Sequence, residues 1–363
     1  MPSPTVTKLE EDEAVMTIVA EHFDYVVGID THARTHTYAI VNTRTGARDG
    51  CQTFPVSAAG FHRAVAWIQR HTSGAILAAV EGTRSYGATI THALTANNIT
   101  VVEVKPPGKR QRAGVGKSDD IDATTAAMTV LPHQLSALLQ PRSEGLRAAL
   151  SVLVASRERI DTQRTRNRNA LNALLRQIDL GIDARRALTD RQLTEIRSWR
   201  VRSTDTVQQH YARAEAVLLA TAIMDADRAL RDNKQQLAEL NEQLAPTMQH
   251  QFGFGAVTVA WILIAYSHPG RIHSEAAFAA LAGVAPLQAS SGSTVRHRLN
   301  RHGDRLLNKA LDVIAKTRMR FDETTKRYVE KRTAQGLSYR EIKRALKRYL
   351  ARSIFRQLQV LMH

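Results

Sequence analysis

The ten residues Gly114-Val115-Gly116-Lys117-Ser118-Asp119-Asp120-Ile121-Asp122-Ala123 (GVGKSDDIDA) admit two incompatible readings. The first half, GVGKS, has the look of a loop that cradles a nucleotide triphosphate. The second half sets three carboxylates within four residues and invites a metal ion. A phosphate loop needs Gly-x-x-x-x-Gly-Lys-Ser/Thr directly after a buried strand. Counting back from Gly116-Lys117-Ser118, the first glycine should stand at 111, which is Gln111. The preceding residues form a basic loop with two prolines, Pro106 and Pro107, rather than a strand end. A phosphate loop is excluded on both counts.

The carboxylates fare better. A helix that begins near Asp119 or Asp120 places Asp119 and Asp122 three residues apart on one face and turns Asp120 away from it. Like charges on one face repel. A capping role for Asp119, eased by the helix dipole, is one explanation. A divalent cation held between them is the other.

Upstream of this helix the pattern is strand-rich. Tyr25-Val26-Val27-Gly28-Ile29-Asp30 and Thr37-Tyr38-Ala39-Ile40-Val41-Asn42 read as strands, and the turn Thr43-Arg44-Thr45-Gly46 leads to a third near Cys51–Phe54. A helix is expected at about 57–71, a strand at Ala75–Val80 ending on Glu81, a helix near 85–97 and a strand at Thr100–Val104. Three meandering strands followed by helix, strand, helix, strand and helix is the element order of the RNase H-like α/β fold, an inference by analogy. Asp30 closes one apolar strand and Glu81 another, positions where a carboxylate is costly unless paired. In an RNase H-like sheet these two strand ends are neighbours and the last helix lies beside them. Asp30, Glu81, Asp119 and Asp122 would then converge as a site for one or two Mg2+ ions acting on phosphodiesters.

Composition agrees with that substrate class. The formal charge is +16, which points to a polyanion such as nucleic acid. Apolar residues make up 43% of the chain, enough for a folded core. A single cysteine, Cys51, excludes an intrachain disulfide and a multi-cysteine zinc site, and fits a reducing cytoplasm. The opening MPSPTVTKLEEDEAV is polar and acidic, unlike a secretory signal. The longest apolar run, Ala256–Tyr266, is well short of the roughly 20 residues of a spanning helix, so no membrane partner is expected.

The rest of the chain reads as helical. A flexible leader (1–22) and the acidic domain (23–142) precede a helical hairpin or coiled-coil-like linker (143–249) and a mainly α C-terminal domain (250–363). In the linker, leucines recur at helical spacing, and Gly181 and the polar stretch 201–206 suggest the hairpin break. Its first arm is strongly basic, Arg164 and Arg168 included. Phe252-Gly253-Phe254-Gly255 precedes an apolar helix, a weak signal for phosphate-backbone binding. The last helix, about 338–358, sets Arg340, Lys343, Arg344, Lys347, Arg348 and Arg352 on one side, with Ile342, Leu346, Tyr349, Leu350 and Ile354 on another. The basic side suits phosphates.

These residues together resemble the DEDD-type insertion-sequence transposases, a family of bridge-RNA-guided DNA recombinases with a RuvC-like N-terminal domain. The resemblance is carried by Gly28-Ile29-Asp30, Glu81-Gly82-Thr83-Arg84-Ser85-Tyr86 and Lys117-Ser118-Asp119-Asp120-Ile121-Asp122-Ala123. It resumes at Phe278–Pro286, Ser290-Ser291-Gly292-Ser293 and Arg301–Leu311. It implies that Asp30, Glu81, Asp119 and Asp122 are the acidic set and Ser291 the nucleophile, forming a phosphoserine linkage with DNA. It also implies donor and target double-stranded DNA, a structured noncoding RNA, a homo-oligomer growing from dimer to tetramer, and work in a prokaryotic cytoplasm on the nucleoid. Lys109, Arg110, Arg112 and Lys117 in the basic loop, and Arg296, Arg298, Arg301 and Lys309 around the serine, join Arg164, Arg168, Lys343, Arg344, Lys347 and Arg348 as expected nucleic-acid contacts. Asn308 departs from the family, where a basic residue is common.

Without the resemblance, Ser291 is by default a flexible-loop residue, and a free hydroxyl needs a base, a metal or a shaped site to attack. His297 and His302 are close in sequence but form no obvious dyad. Two other functions fit the residues: a metal-dependent RuvC-like resolvase or nuclease using water, and a non-catalytic nucleic-acid scaffold whose acids are structural.

Overall fold

Strand alternation builds the first unit. The structure, a computed structural model, describes residues 17–104, 118–142, 144–288, 297–298, 300 and 303–362. They fall into two units, one drawn from 1–143 with 268–273 and the other from 144–267 with 274–363.

In the first unit, a short helix α1 (Val19–His22) leads into β1 (Tyr25–Thr31), β2 (Thr35–Asn42) and β3 (Arg48–Pro55). Then follow α2 (Ala58–His71), β4 (Ile76–Glu81), α3 (Ala88–Ala96), β5 (Thr100–Val104) and α4 (Asp119–Val130). The sheet order is β3-β2-β1-β4-β5, with β1–β2 and β2–β3 antiparallel and β1–β4 and β4–β5 parallel. A mixed five-stranded sheet of this order, flanked by helices, is consistent with an RNase H-like domain.

Successive side chains of a strand point to opposite faces. Val27, Ile29, Tyr38, Ile40, Ala78 and Val80 therefore share one core with Phe61, Trp67 and Ile68 of α2 and Ile90 and Leu94 of α3. Val26, Val41, Leu77, Ala79 and Val102 share another with Ala126, Ala127 and Val130 of α4. Burying each large apolar side chain contributes about 1.5–3 kcal/mol. The return segment His268–His273 adds to this unit. Arg271, itself buried, places Nη2 2.9 Å from Glu103 Oε2, and His268 Nε2 lies 3.0 Å from the Pro141 carbonyl.

Gly28 explains how close α4 sits. A Cβ there would lie 1.9 Å from the Ala123 carbonyl oxygen and 2.6 Å from the Ala127 nitrogen. No rotamer relieves a clash with backbone. Gly28→Val is expected to push α4 off the sheet, at a cost of at least about 1–3 kcal/mol, and to remove DNA cleavage. Thermal denaturation and a cleavage assay check this; unchanged stability and cleavage would contradict the packing.

The second unit is helical. α5 (Leu146–Gln177) and α7 (Val207–Leu244) form an antiparallel hairpin whose core includes Leu171, Leu175, Ala216, Ala220 and Ile223. The connection carries more than a break. Between Gly181 and residues 201–206 stands α6 (Asp190–Ser198), capped by Thr189, and its Leu193 and Ile196 join that core.

The chain continues through α8 (Ala256–Tyr266), α9 (Glu275–Leu281), the two-residue strands β6 (Leu287–Gln288) and β7 (His297–Arg298), α10 (Arg305–Phe321), α11 (Glu323–Ala334) and α12 (Tyr339–Leu361). Strands β6 and β7 pair antiparallel. Gly253 takes a φ of +84°, a conformation that glycine adopts without strain, and Gly255 caps α8. On α12 the two expected faces are not clean. Lys347 is buried and Tyr349 is exposed. Lys347 finds an acceptor inside, whereas Tyr349 meets Tyr328 edge-on at the surface. No helix among the described residues is long and apolar enough to cross a membrane.

Candidate functional site

The acidic residues gather at one end of the first sheet. Asp30 is the sixth residue of β1 and Glu81 the last of β4, strands paired in parallel with Ile29 opposite Val80. Asp30 follows Val26 and Gly28 on the face towards α4, and Glu81 follows Leu77 and Ala79 on that same face. The strand ends are tied together, because Thr31 Oγ1 donates to the Glu81 carbonyl at 2.8 Å.

Ser118, not Asp119, caps α4, its hydroxyl accepting from the Ile121 N–H at 3.4 Å. That relieves Asp119 of the capping role and leaves its carboxylate for the sheet end. Asp119, Asp120 and Asp122 all lie in the first turn, where the helix dipole favours negative charge. Burial pushes the Asp30 carboxyl above its usual range; His32 pulls it back, and the charges of Asp119 and Asp122 push it further up. Asp30 therefore feels the charges of both Asp119 and Asp122. Asp120 points elsewhere: its carboxylate bonds the Cys51 thiol on β3, which burial and this neighbour push up to about 11.

One residue of the site was not anticipated from sequence. His32 Nε2 lies 3.0 Å from Asp30 Oδ2 and 3.4 Å from Asp119 Oδ1. Asp30, His32 and Asp119 each offer a ligand atom, all within 4.8 Å of one another. Glu81 and Asp122 stand outside this tight group. The signal was available: the alternation that turns Asp30 towards α4 continues two residues on to His32.

The donor chemistry suits a divalent ion. A buried carboxylate beside two further aspartates is electrostatically costly without a cation. Among the described residues, the ion pairs of Asp30 and Asp119 are with His32.

The second unit holds a basic cleft of about 940 Å³. Pro286 and Arg298 line it, as do Asn300, Asn308 and, from α12, Arg340, Lys343, Arg344, Lys347, Arg348 and Arg352. Pro286 precedes β6 and Arg298 ends β7, so the cleft lies at the base of the segment that carries Ser291. Ser291 lies outside the described residues, as do Lys109, Arg110, Arg112, Lys117, Arg296 and Arg301.

Within the cleft the cations differ. Lys347 Nζ donates to Asn308 Oδ1 at 2.8 Å and stands 3.8 Å from Asp312, with burial holding its pKa below the usual lysine range. Asn308 in turn donates to the Ala282 carbonyl. Lys343 pairs with Asp312 at 3.0 Å, whereas Arg344 and Arg348 are exposed. Lys309 sits 4.8 Å over the Trp261 ring. On the hairpin, Arg164 Nη1 and Arg168 Nη2 both donate to Asp227, at 2.6 and 2.9 Å. Arg348→Ala is therefore expected to weaken nucleic-acid binding evenly across sequences and to reduce the salt-dependence slope by about 1. A salt titration of binding checks it; an unchanged slope would place phosphates elsewhere.

Two family models match the chain. One, described as a transposase of the DEDD IS110 type, covers residues 27–179. The other, described as the transposase IS116/IS110/IS902 family, covers residues 246–330. No curated protein matches the chain. The first match holds the acidic sheet end with α4, and the second spans the segment carrying Ser291. With both parts present and spanning well over half of its length, the chain belongs to the IS110-type DEDD transposases, DNA recombinases that carry out the transposition of insertion sequences.

Proposed function

We propose that this transposase cuts and rejoins DNA through a phosphoserine intermediate at Ser291, supported by a Mg2+ site of Asp30, Glu81, Asp119 and Asp122 in a RuvC-like domain, and guided by a structured noncoding RNA. The observation that carries it is the approach of Asp30 and Asp119, with His32 between them, where β1 meets the start of α4. A DEDD transposase implies a divalent metal. When bound here, one or two such ions would lower the cost of charge developing on a phosphate and on the attacking oxygen.

The chain's own residues do the rest. Asp30, buried at the strand end, and Asp119 and Asp122, on the face of α4, supply the negative charge that would hold such a cation. The Ser291 Oγ attacks a DNA phosphorus and gives up its proton, and the displaced DNA oxygen leaves as a hydroxyl. A hydroxyl from another DNA strand then attacks the phosphoserine phosphorus, restoring the serine. The number of phosphodiester-type bonds is conserved, so no nucleotide triphosphate is needed, in keeping with the failed phosphate loop. Arg344 and Arg348 offer exposed charge to nucleic-acid backbone, and Lys347 stiffens the cleft wall through Asn308. Donor and target DNA bind in an oligomer built from dimers to a tetramer, in a prokaryotic cytoplasm.

RNA guidance is tested by expressing the gene with its native noncoding flanks and sequencing the RNA that purifies with the protein. One discrete, structured flank RNA supports guidance. Random cellular RNA would leave charge as the sole cause of binding and remove the guide from the proposal.

A further inference from the structure

His32 has no role among the four acidic positions, yet it stands between two of them. We infer that His32 is a nitrogen ligand of the metal centre, so that this enzyme holds a transition divalent ion such as Mn2+ more tightly than Mg2+. The inference deepens the metal-centre reading above and rests on it.

Position comes first. His32 directly follows β1, and its backbone is fixed at the tip of the β1–β2 hairpin. Its N–H donates to the Thr35 carbonyl at 3.1 Å and lies 3.3 Å from His36 Nδ1. His36 is fully buried and stacks on Phe61, which anchors that tip. The imidazole of His32 is half exposed, with Nε2 directed at both Asp30 and Asp119. The three ligand atoms lie within 4.8 Å of one another, compatible with bonds of roughly 2.0–2.2 Å to one ion between them.

Chemistry then selects the ion. Mg2+ takes oxygen ligands and keeps several waters, whereas first-row transition ions accept imidazole, Zn2+ and Fe2+ most readily and Mn2+ alongside its carboxylates. The imidazole of His32 turns the carboxylate site into a mixed donor set. An all-oxygen site would leave Mg2+ and Mn2+ closer in affinity. Strand transfer in this chain is accordingly expected to run at lower Mn2+ than Mg2+ concentration.

The test uses the full-length protein with Mn2+ as the probe. Pulsed electron paramagnetic resonance of bound Mn2+ should show nitrogen modulation from a coordinated imidazole. His32→Gln should remove that modulation and lower Mn2+ affinity by about tenfold or more, with a smaller loss for Mg2+ by calorimetry. Circular dichroism confirms that the variant is folded, and the exposed position makes folding a mild demand. Mn2+ bound without nitrogen modulation would overturn the ligand role of His32 while leaving the acidic centre standing. Mn2+ that fails to bind, or that binds equally to Asp30→Asn, would overturn the metal centre itself and this inference with it.

Discussion

Asp122→Ala is expected to lose strand cleavage and transfer, while Asp120→Ala, two residues away on the same helix turn, keeps most of both. The three aspartates of α4 differ in direction rather than in type. Asp122 acts on Asp30 through its charge and stands on the face of α4 that meets Gly28 and the sheet end. Asp120 bonds the Cys51 thiol on β3 instead. A metal-holding carboxylate supplies several kcal/mol of transition-state stabilisation. Its loss therefore costs about a thousandfold or more in rate. Purified variants compared on one DNA substrate with saturating divalent metal decide the point. Equal losses for Asp120 and Asp122 would break the assignment of helix faces.

The second large effect concerns Ser291. Ser291→Ala is expected to bring strand transfer to background, a loss of at least about a thousandfold, with nucleic-acid binding nearly unchanged. Binding should survive because the cleft cations come from α12 and from Arg298 rather than from the serine. Ser290→Ala and Ser293→Ala are the matched controls, since each removes a hydroxyl from the same segment. Full recombination by Ser291→Ala would end its role as nucleophile. A binding loss as large as the transfer loss would make the residue structural.

Much of the sheet was legible because each strand carries its own alternation. Tyr25–Thr31, Ile76–Glu81 and Thr100–Val104 lie within a residue or so of where apolar patterning puts them, and α4 starts at Asp119 as its carboxylate spacing suggests. The acidic end was legible for the same reason: Asp30 and Glu81 are polar residues at the ends of apolar runs.

Features that depend on distant partners were not legible. Arg164 and Arg168 look like free cations on a basic arm, yet Asp227, some 60 residues away, receives both. Helical periodicity assigns Lys347 to the solvated face of α12 with its basic neighbours. It is buried because Asn308 and Asp312 of α10 offer it polar atoms, which no pattern within α12 reveals. The same contact gives Asn308 a use that the family's basic residue would not have. Helix α6 is short and lies between two turn-like stretches, so periodicity does not reveal it, although Thr189 and Gln192 form a capping box. His32 lies one residue beyond the strand, and nothing in its local pattern marks it as a partner of Asp119, 87 residues on.

The central claim is that a serine of the C-terminal part exchanges DNA strands under control of the acidic sheet end. Its most direct measurement is to incubate the purified enzyme, its RNA and a donor DNA nicked to trap cleavage, and then to denature the mixture. The DNA-linked peptide is identified by mass spectrometry. A covalent DNA adduct on Ser291 that requires a divalent metal and disappears in Asp30→Asn is expected. Metal-dependent cut DNA with free ends and no protein attached would contradict it, and would make water the nucleophile.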